Sequence, residues 1–555
     1  MIRERLKEIV DSCFASGVNE GKWSDAAAGK YTLEVPKREG QGDFSTNMAM
    51  VMAGMEKKNP REIAGLLVEI LSAEDAIIDK LEIAGPGFVN IFLKPQVWQE
   101  VLQPILRTGD NFGRSTVGKG KKVLVEFVSA NPTGPLSIGH GRQAILGDAI
   151  ARLLEVTGHE VTREYYFNDA GRQMRVLGES TRARYLEIQG LPFEFPEDGY
   201  QGEYIRDIAQ VLLDEQGAGL VGQEDAEPFT KKAVELIFAD ISGTLERMGV
   251  RFDNYYNEHT LYDAGHIDSV VKELREKGLV YEKDDAVWFK TTLFGQEQDR
   301  VIIKSSGEPT YRLPDIAYHR EKFRRNFDWL VDVFGSDHIA TVPDVLAGVE
   351  ALGYDPKKVT VVLHQFVTLT RNGKLVKMST RKATFVTVDE LLDEVGVDVA
   401  RFYFMMRKAD SQLEFDLDLA TKEEKDNPVY YVQYGHARLC SILRRAKDMG
   451  LEAAHPEQAD LSLLREAEEL QLLKSIASFP AAIEAAALEL APHKAIFFLM
   501  ELAGELHSYY NKHKVIDPEN VPLAVTHARL CLIAAVQQVF KNGLLMLGLT
   551  APEKM

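Results

Sequence analysis

The stretch Val125-Glu-Phe-Val-Ser-Ala-Asn-Pro-Thr-Gly-Pro-Leu-Ser-Ile-Gly-His-Gly-Arg142 decides the reading of this chain. It ends an apolar run that begins at Lys121, turns through Pro132, Gly134 and Pro135, and opens a long helical pattern near Gly139. HEVTREYYF follows as a second strand, and strand signals return at RVIIK, DWLVDVFG and KVTVVLHQFV with helical stretches between them. A mostly helical, acidic insertion at about residues 175–280 splits this alternation. Strand–helix–strand alternation predicts an α/β segment built on a doubly wound parallel, Rossmann-like sheet. In such a sheet a helix start offers free N–H groups and a positive dipole end to the crevice. Gly139 and Gly141 leave the backbone bare for a nucleotide, and His140 offers a donor for phosphate oxygens. A strand–helix corner with a surface histidine fits these few residues equally well.

Working outward, residues 1–110 mix helix and strand signals and predict an α+β N-terminal domain. MIRERLKEIVDSCF reads as an amphipathic helix, without the apolar core and cleavage site of a signal peptide. Asn59 and Pro60 predict the cap and first residue of a helix, and LEIAGPGFVNIFL predicts two strands about Gly85-Pro86-Gly87. RTGDNFGRSTVGKGKK then reads as a linker or exposed loop. The α/β segment occupies 121–385, a helical connection 386–426, and an all-α C-terminal domain 427–555. That last domain opens with Asn427 as cap and Pro428 in the first turn. Tyr430, Tyr434 and Arg438 share one helix face, with Tyr431 and Gly435 on the adjoining face. Unstacked RNA bases stack on aromatic rings and guanidinium planes, so this face suits RNA; a core stripe with an amphipathic tip is the alternative. HSYYNKHKV, residues 507–515, adds further aromatics and lysines.

The chain has 555 residues, enough for roughly three or four domains. Hydrophobic residues make up 45% and charged residues 27%, which excludes whole-chain disorder and a coiled-coil rod. The formal charge of −19 argues against a non-specific nucleic-acid coat while leaving room for a local basic groove. Cys13, Cys440 and Cys531 stand far apart, so neither a disulfide framework nor a thiolate zinc site is expected. No run reaches the roughly 18 uninterrupted apolar residues of a membrane span, and the expected compartment is a reducing cytoplasm.

A second chemical signal is Thr370-Arg-Asn-Gly-Lys-Leu-Val-Lys-Met-Ser-Thr-Arg-Lys382. Its five cations, with no acidic residue, follow the last apolar strand. A basic loop at a strand's C-terminal end is placed to meet a polyphosphate, although a solvated charged turn has the same composition. Together the two segments carry a resemblance. SIGH resembles the HIGH signature of class I aminoacyl-tRNA synthetases, and KMSTR their KMSKS signature. VEFVSANPTGPLSIGHGR, EYYFNDAGRQ, PTYRLPDIAYH, GSDH and YYVQYGHARL narrow it to arginyl-tRNA synthetases of the bacterial type. The likeness runs from GDFSTNMAM to LLMLGLTAPEKM, with Ser137 and Thr380 standing where the signatures have His and Lys.

The resemblance implies a two-step reaction. Arginine's carboxylate attacks the α-phosphate of ATP and releases pyrophosphate; the terminal adenosine ribose of tRNA(Arg) then takes the arginyl group. Such chemistry needs positioning and charge stabilisation more than a protein nucleophile. By resemblance His140 and Lys377 are catalytic, and ATP meets Gly139, His140, Gly141, Lys377, Met378, Ser379 and Arg381. Arginine's amino and carboxylate end meets Ser129, Asn131 and His140; its guanidinium meets Tyr311 and Asp315, with Glu126 a further candidate and His338 in the pocket. A planar cation with five N–H donors calls for fixed carboxylates. Asn168, Asp169 and Gln173 are expected to line the crevice. With Ser137 and Thr380 in place, His140, the helix start, Lys377 and neighbouring Arg381 or Lys382 would carry the phosphates. The resemblance further implies Mg²⁺ with ATP, no structural zinc, no membrane and a monomer. The C-terminal domain would bind the anticodon through Tyr430, Tyr434 and Arg438, the N-terminal domain would contact the tRNA near its D-loop, and activation would require tRNA. A nucleotidyl transferase without tRNA, or a non-catalytic RNA-binding relative, stays open as a rival reading.

Overall fold

The computed structural model describes residues 2–36, 38, 40–73, 76–376, 386–451 and 456–555. Its centre is a five-stranded, wholly parallel sheet made of β1 (Lys122–Glu126), β2 (Glu160–Phe167), β3 (Asn254–Asn257), β4 (Trp329–Gly335) and β5 (Val359–His364). The strand order is β5-β4-β1-β2-β3. Val123, Leu124 and Val125, with Leu330, Val331 and Val333, are fully buried, as strands covered on both faces require. The order reverses between β1 and β4, and a crevice beyond the carboxyl ends at such a reversal is where open α/β sheets hold ligands.

Helices border this crevice, and one more supports them from behind. Helix α1 (Ile138–Val156) leaves the end of β1 and is buried along most of its length. Helix α2 (Arg312–Arg324) precedes β4, and α3 (Val397–Met405) packs behind α1. The N-terminal residues form a four-stranded antiparallel sheet with helices, including the strand pair Ile78–Ala84 and Phe88–Leu93 about the expected turn. The Asn59 side chain accepts from the Arg61 N–H, with Pro60 opening that helix. The C-terminal domain packs α4 (Pro428–Asp448), α5 (Ala467–Leu488), α6 (Pro492–Lys512) and α7 (Leu523–Met546) together. Helix α7 is long and apolar enough to cross a membrane by composition, but 61% of its apolar window is buried inside the protein, as in a bundle's core helix.

Arg401 of α3 ties these parts together. Its guanidinium pairs with the Asp148 carboxylate of α1 at 2.5 Å and donates to the carbonyls of Met248 and Leu547 at 2.8 and 3.0 Å. Gly548 lies at φ +72° against this guanidinium, and any Cβ there would collide with it.

The structure corrects several expectations. RVII (Arg300–Ile303) belongs to a separate three-stranded antiparallel sheet with Val280–Lys283 and Ala286–Phe289. The insertion at 175–280 is mostly helical but contributes the edge strand β3, whose short, polar-ended NYYN carries little apolar signal. KVTVVLHQFV is two strands rather than one: β5 ends at His364, and Val367–Arg371 joins a small sheet with Lys374–Leu375 and Leu413–Asp416. The connection 386–426 is therefore not wholly helical, because LEFD alternates and pairs in parallel with residues 367–370. The Gly-rich segment after residue 107 is docked on the C-terminal helices. Asn542 donates to the carbonyls of Gly109 and Phe112, and Phe112 stacks on Phe479.

Candidate active site

A cavity of about 820 Å³ opens at the reversal of the sheet. Its floor is a charge cluster. The register of β1 and β4 sets Glu126 directly beside Asp332, both buried. Two adjacent carboxylates in a dry interior repel, so a cation is needed between them. Lys322 of α2 supplies it: Nζ lies 2.5 Å from Glu126 Oε2 and 2.7 Å from Asp332 Oδ1. His319, one turn earlier, places Nε2 2.9 Å from Asp332 Oδ2 and Nδ1 2.8 Å from the Asp315 carbonyl. Burial works against charge at both carboxylates, with different outcomes. At Asp332 the attraction of Lys322 and His319 prevails and holds the group well below the usual carboxylate range. At Glu126 burial, with Asp332 beside it, prevails over Lys322 and pushes the group up.

Above this floor stand two carboxylates that make no direct ion pair among the described residues, although His319, His338 and Lys322 attract Asp315 from a distance. Asp315 sits in the first turn of α2, lines the cavity and has no hydrogen bond or ion pair to its carboxylate among the described residues; burial pushes it up. Glu258, just before the short helix His259–Asp263, is buried and pushed up to about 7, chiefly by burial and in part by Asp315. The Tyr262 hydroxyl is 3.4 Å from it. Tyr166, Tyr256 and Tyr318 cluster alongside with ring centroids 4.4–6.2 Å apart. Tyr311 stands at the rim, 73% exposed.

The turn from β1 to α1 is strained and braced. Val128 and Ser129 have φ of 68° and 42°, a left-handed region that costs non-glycine residues of order 1–3 kcal/mol each. Ser129 Oγ donates to Glu126 Oε1 at 2.9 Å and accepts the Tyr166 N–H at 3.1 Å. The hydroxyls of Tyr165 and Tyr204 donate to the carbonyls of Ala130 and Thr133 at 2.7 and 2.6 Å. Asn131 donates to Gln173 at 2.6 Å, and Asn168 and Gln173 line the cavity. Asp169 does not: it turns away to His259 and Asn257.

Ser137 is the N-cap of α1, and its hydroxyl is 3.5 Å from the His140 N–H it caps. The Ser137 N–H in turn points at His140 Nδ1, 3.3 Å away, which leaves Nε2 to carry the ring proton. Burial lowers the His140 pKa, so the ring is a neutral donor. Serine is among the best capping residues, so the hydroxyl in place of the signature histidine has a local structural use. Gly139 lines the cavity, and a Cβ there would meet only Ser137 Oγ at 3.7 Å. Gly141 corrects the expectation of nucleotide contact: it faces away from the cavity, and its Cβ would lie 2.8 Å from Val388. Its small size serves helix packing.

Asp337 and His338 lie on the 3-10 helix Ser336–Ala340 beyond β4, with the His338 ring stacked on Phe334 at 5.1 Å. Both line the cavity. Sequence reasoning missed His364, which ends β5 in the same cavity and is lowered to about 4, first by burial and then by Arg142. It also missed Lys322 and Glu258, which look like ordinary surface charges in REKF and YNEH. Lys377, Met378, Ser379 and Arg381, with Thr380 and Lys382, lie outside the described residues.

On the C-terminal domain Asn427 caps α4 through the Val429 N–H. Tyr430 and Tyr434 stack at 5.8 Å, and the Arg438 guanidinium lies 4.6 Å from the Tyr510 ring and 6.0 Å from that of Tyr434. Tyr430, Tyr431 and Tyr434 border a cleft of about 460 Å³ with Glu423, Glu424, Lys425 and Asp426. Of the 507–515 segment, His507 stacks on Tyr434 and Tyr510 joins this cluster, while Tyr509 is buried and Lys512 and His513 pair with Glu468.

Three family models match the chain: the arginyl tRNA synthetase N terminal domain over residues 1–93, the catalytic domain of tRNA synthetases class I (R) over 101–422, and the DALR anticodon binding domain over 432–555. The arginine–tRNA ligase of Desulfotalea psychrophila is 70% identical over 555 residues and covers 100% of both chains. That of Citrifermentans bemidjiense is 46% identical over 557 residues, covering 99% of this chain and 100% of its own. The solved arginyl-tRNA synthetase of Thermus thermophilus superposes with a TM-score of 0.77 at 23% identity and covers 100% of both chains, a likeness of fold. The Plasmodium falciparum enzyme gives 0.75 at 17%, covering 100% of this chain and 99% of its own. With its catalytic, N-terminal and anticodon-binding regions all matched, the chain belongs to the arginyl-tRNA synthetases, of class I.

Proposed function

We propose that the cavity between β1 and β4 holds arginine and ATP side by side and is where arginyl-adenylate forms. As a member of its family the chain charges tRNA with arginine in two steps, with ATP as the activating substrate. The observation that carries the assignment of the site is the pair Asp315 and Glu258: two carboxylates in one cavity, raised by burial and without a direct ion pair among the described residues. A guanidinium would relieve both and satisfy its planar donors. Glu126 is already engaged by Lys322 and Ser129, so its part is to shape the floor beside Asp315. Ser129 and Asn131 meet arginine's amino and carboxylate end, Tyr311 and His338 close the rim, and His140 Nε2 with the Gly139 backbone at the start of α1 meets phosphate oxygens. Lys377, Met378, Ser379 and Arg381 complete the phosphate side.

Mg²⁺ arrives bound to ATP, and no structural zinc enters this reading. Among the described residues no group of three or more His, Cys, Asp or Glu is placed to hold a metal. Tyr430, Tyr434 and Arg438 stack on bases of the anticodon loop, the N-terminal domain meets the tRNA near its D-loop, and the enzyme works as a cytoplasmic monomer without membrane contact. ATP–pyrophosphate exchange with arginine, run with and without tRNA(Arg), tests the reading. Exchange that needs both arginine and tRNA supports it. Exchange at full rate without RNA removes the coupling, and no exchange under any condition removes the site.

A further inference from the structure

Arg142 is fully buried two residues after His140, yet it makes no ion pair among the described residues. At 3.6 residues per turn the two side chains leave α1 about 200° apart. His140 faces the cavity, while Arg142 reaches under the corner that joins β5 to the Val367–Arg371 strand. Its Nη1 donates to the carbonyls of Gln365 and Ser411 at 2.7 and 3.0 Å, and Nη2 donates to that of Lys408 at 3.1 Å. The corner and the 408–413 turn are further joined by backbone bonds from Gln365 N to Ala409 O and from Leu413 N to Phe366 O. Burying a guanidinium with only a distant carboxylate, Asp410, to attract it is costly, and an apolar side chain would fill the same space more cheaply. What arginine alone supplies is a rigid fork that spans acceptors on two separate segments.

The corner that Arg142 grips forms one wall of the cavity. His364, Phe366 and Val367 line it, and Phe366 presents an apolar ring 66% exposed. This wall lies on the β5 side of the sheet, one strand beyond the Glu126–Asp332 pair of β1 and β4. We infer that Arg142 is a positioning residue for the nucleotide half of the reaction, fixing the His364–Val367 wall at a set distance from His140 so that ATP meets both. The inference rests on the two-substrate reading of the cavity given above.

The test measures KM for ATP and for arginine separately, by pyrophosphate exchange with tRNA present, in the full chain carrying Arg142→Met, Arg142→Lys or Phe366→Ala. Arg142→Met is expected to raise the ATP KM about tenfold or more while the arginine KM stays within about twofold. Arg142→Lys keeps the charge but not the fork and is expected to restore only part of the difference. Phe366→Ala, an exposed change that leaves folding intact, should also raise the ATP KM alone, and it stands in if the Arg142 variants do not fold. Equal rises in both KM values would mean that Arg142 supports the fold generally, and would overturn the inference. So would an unchanged ATP KM in folded Arg142→Met, or in Phe366→Ala. Asp315→Asn run in parallel separates the two levels. If it raises the arginine KM while the Arg142 and Phe366 variants behave as wild type, only this inference fails; if it too is silent, the reading of the cavity fails.

Discussion

Replacing Asp315 by asparagine changes one oxygen to an amino group and leaves volume and backbone alone, so it isolates charge. In the proposed complex the carboxylate accepts from a guanidinium in a partly buried site, where a hydrogen bond between charged groups contributes about 1.5–3 kcal/mol. Losing one partner of a desolvated charge pair costs about 2–5 kcal/mol, because the other charge remains unpaired. Among the described residues Asp315 makes no direct hydrogen bond or ion pair through its carboxylate; His319, His338 and Lys322 act on it only from a distance. Asparagine keeps one acceptor oxygen but sets an N–H donor where the second carboxylate oxygen stood, facing a guanidinium that offers only donors. Taking about 3–4 kcal/mol, and 1.4 kcal/mol per tenfold, the arginine KM should rise by about 10²–10³. The ATP KM should move little. Steady-state pyrophosphate exchange with tRNA present measures both, and thermal unfolding checks that the variant is folded. An arginine KM within about threefold of wild type in a folded variant would refute the assignment of Asp315 to the guanidinium.

Further outcomes are expected from the same geometry. With Glu258 raised to about 7 by burial, arginine binding must expel a proton below that pH, so the arginine KM should fall as pH rises from 6 to 8; Glu258→Gln should flatten the profile in a KM-against-pH series. The raised group binds more protons folded than unfolded between its ordinary value and about 7, so it lowers stability as pH rises through that window, and Glu258→Gln should raise Tm at pH 8 but not at pH 4. Lys322→Met leaves Glu126 and Asp332 side by side without their cation and should destabilise by about 3–5 kcal/mol in urea unfolding. Tyr434→Ala should weaken tRNA binding by about 1–3 kcal/mol in a filter-binding titration, leaving the ATP KM unchanged.

The parts of the site that were legible in the sequence are those carried by contiguous residues. VEFVSANPTGPLSIGHGR names a strand, its turn and the helix it feeds, and the structure brings Glu126, Ser129, Asn131, Gly139 and His140 to one cavity. PTYRLPDIAYH likewise delivers Tyr311 and Asp315 one helical turn apart. What escaped depends on register between distant segments. Lys322 reads as a solvated charge on an amphipathic helix until β4 pairs with β1 and sets Asp332 beside Glu126. Glu258 becomes a pocket residue only because β3 adds to the sheet edge just before it, and NYYN is too short to announce a strand. Gly141 misled for the opposite reason: bare backbone beside a histidine suggests ligand approach, and only the packing of Val388 shows that the bareness faces inward.

The Arg401 junction has a consequence for the order in which the molecule can be made. Its contacts come from Asp148, Met248 and Leu547, so a ribosome must have synthesised nearly the whole chain before the guanidinium meets its final acceptor. Until then the rear of α1, the helix whose front carries His140, lacks its full support.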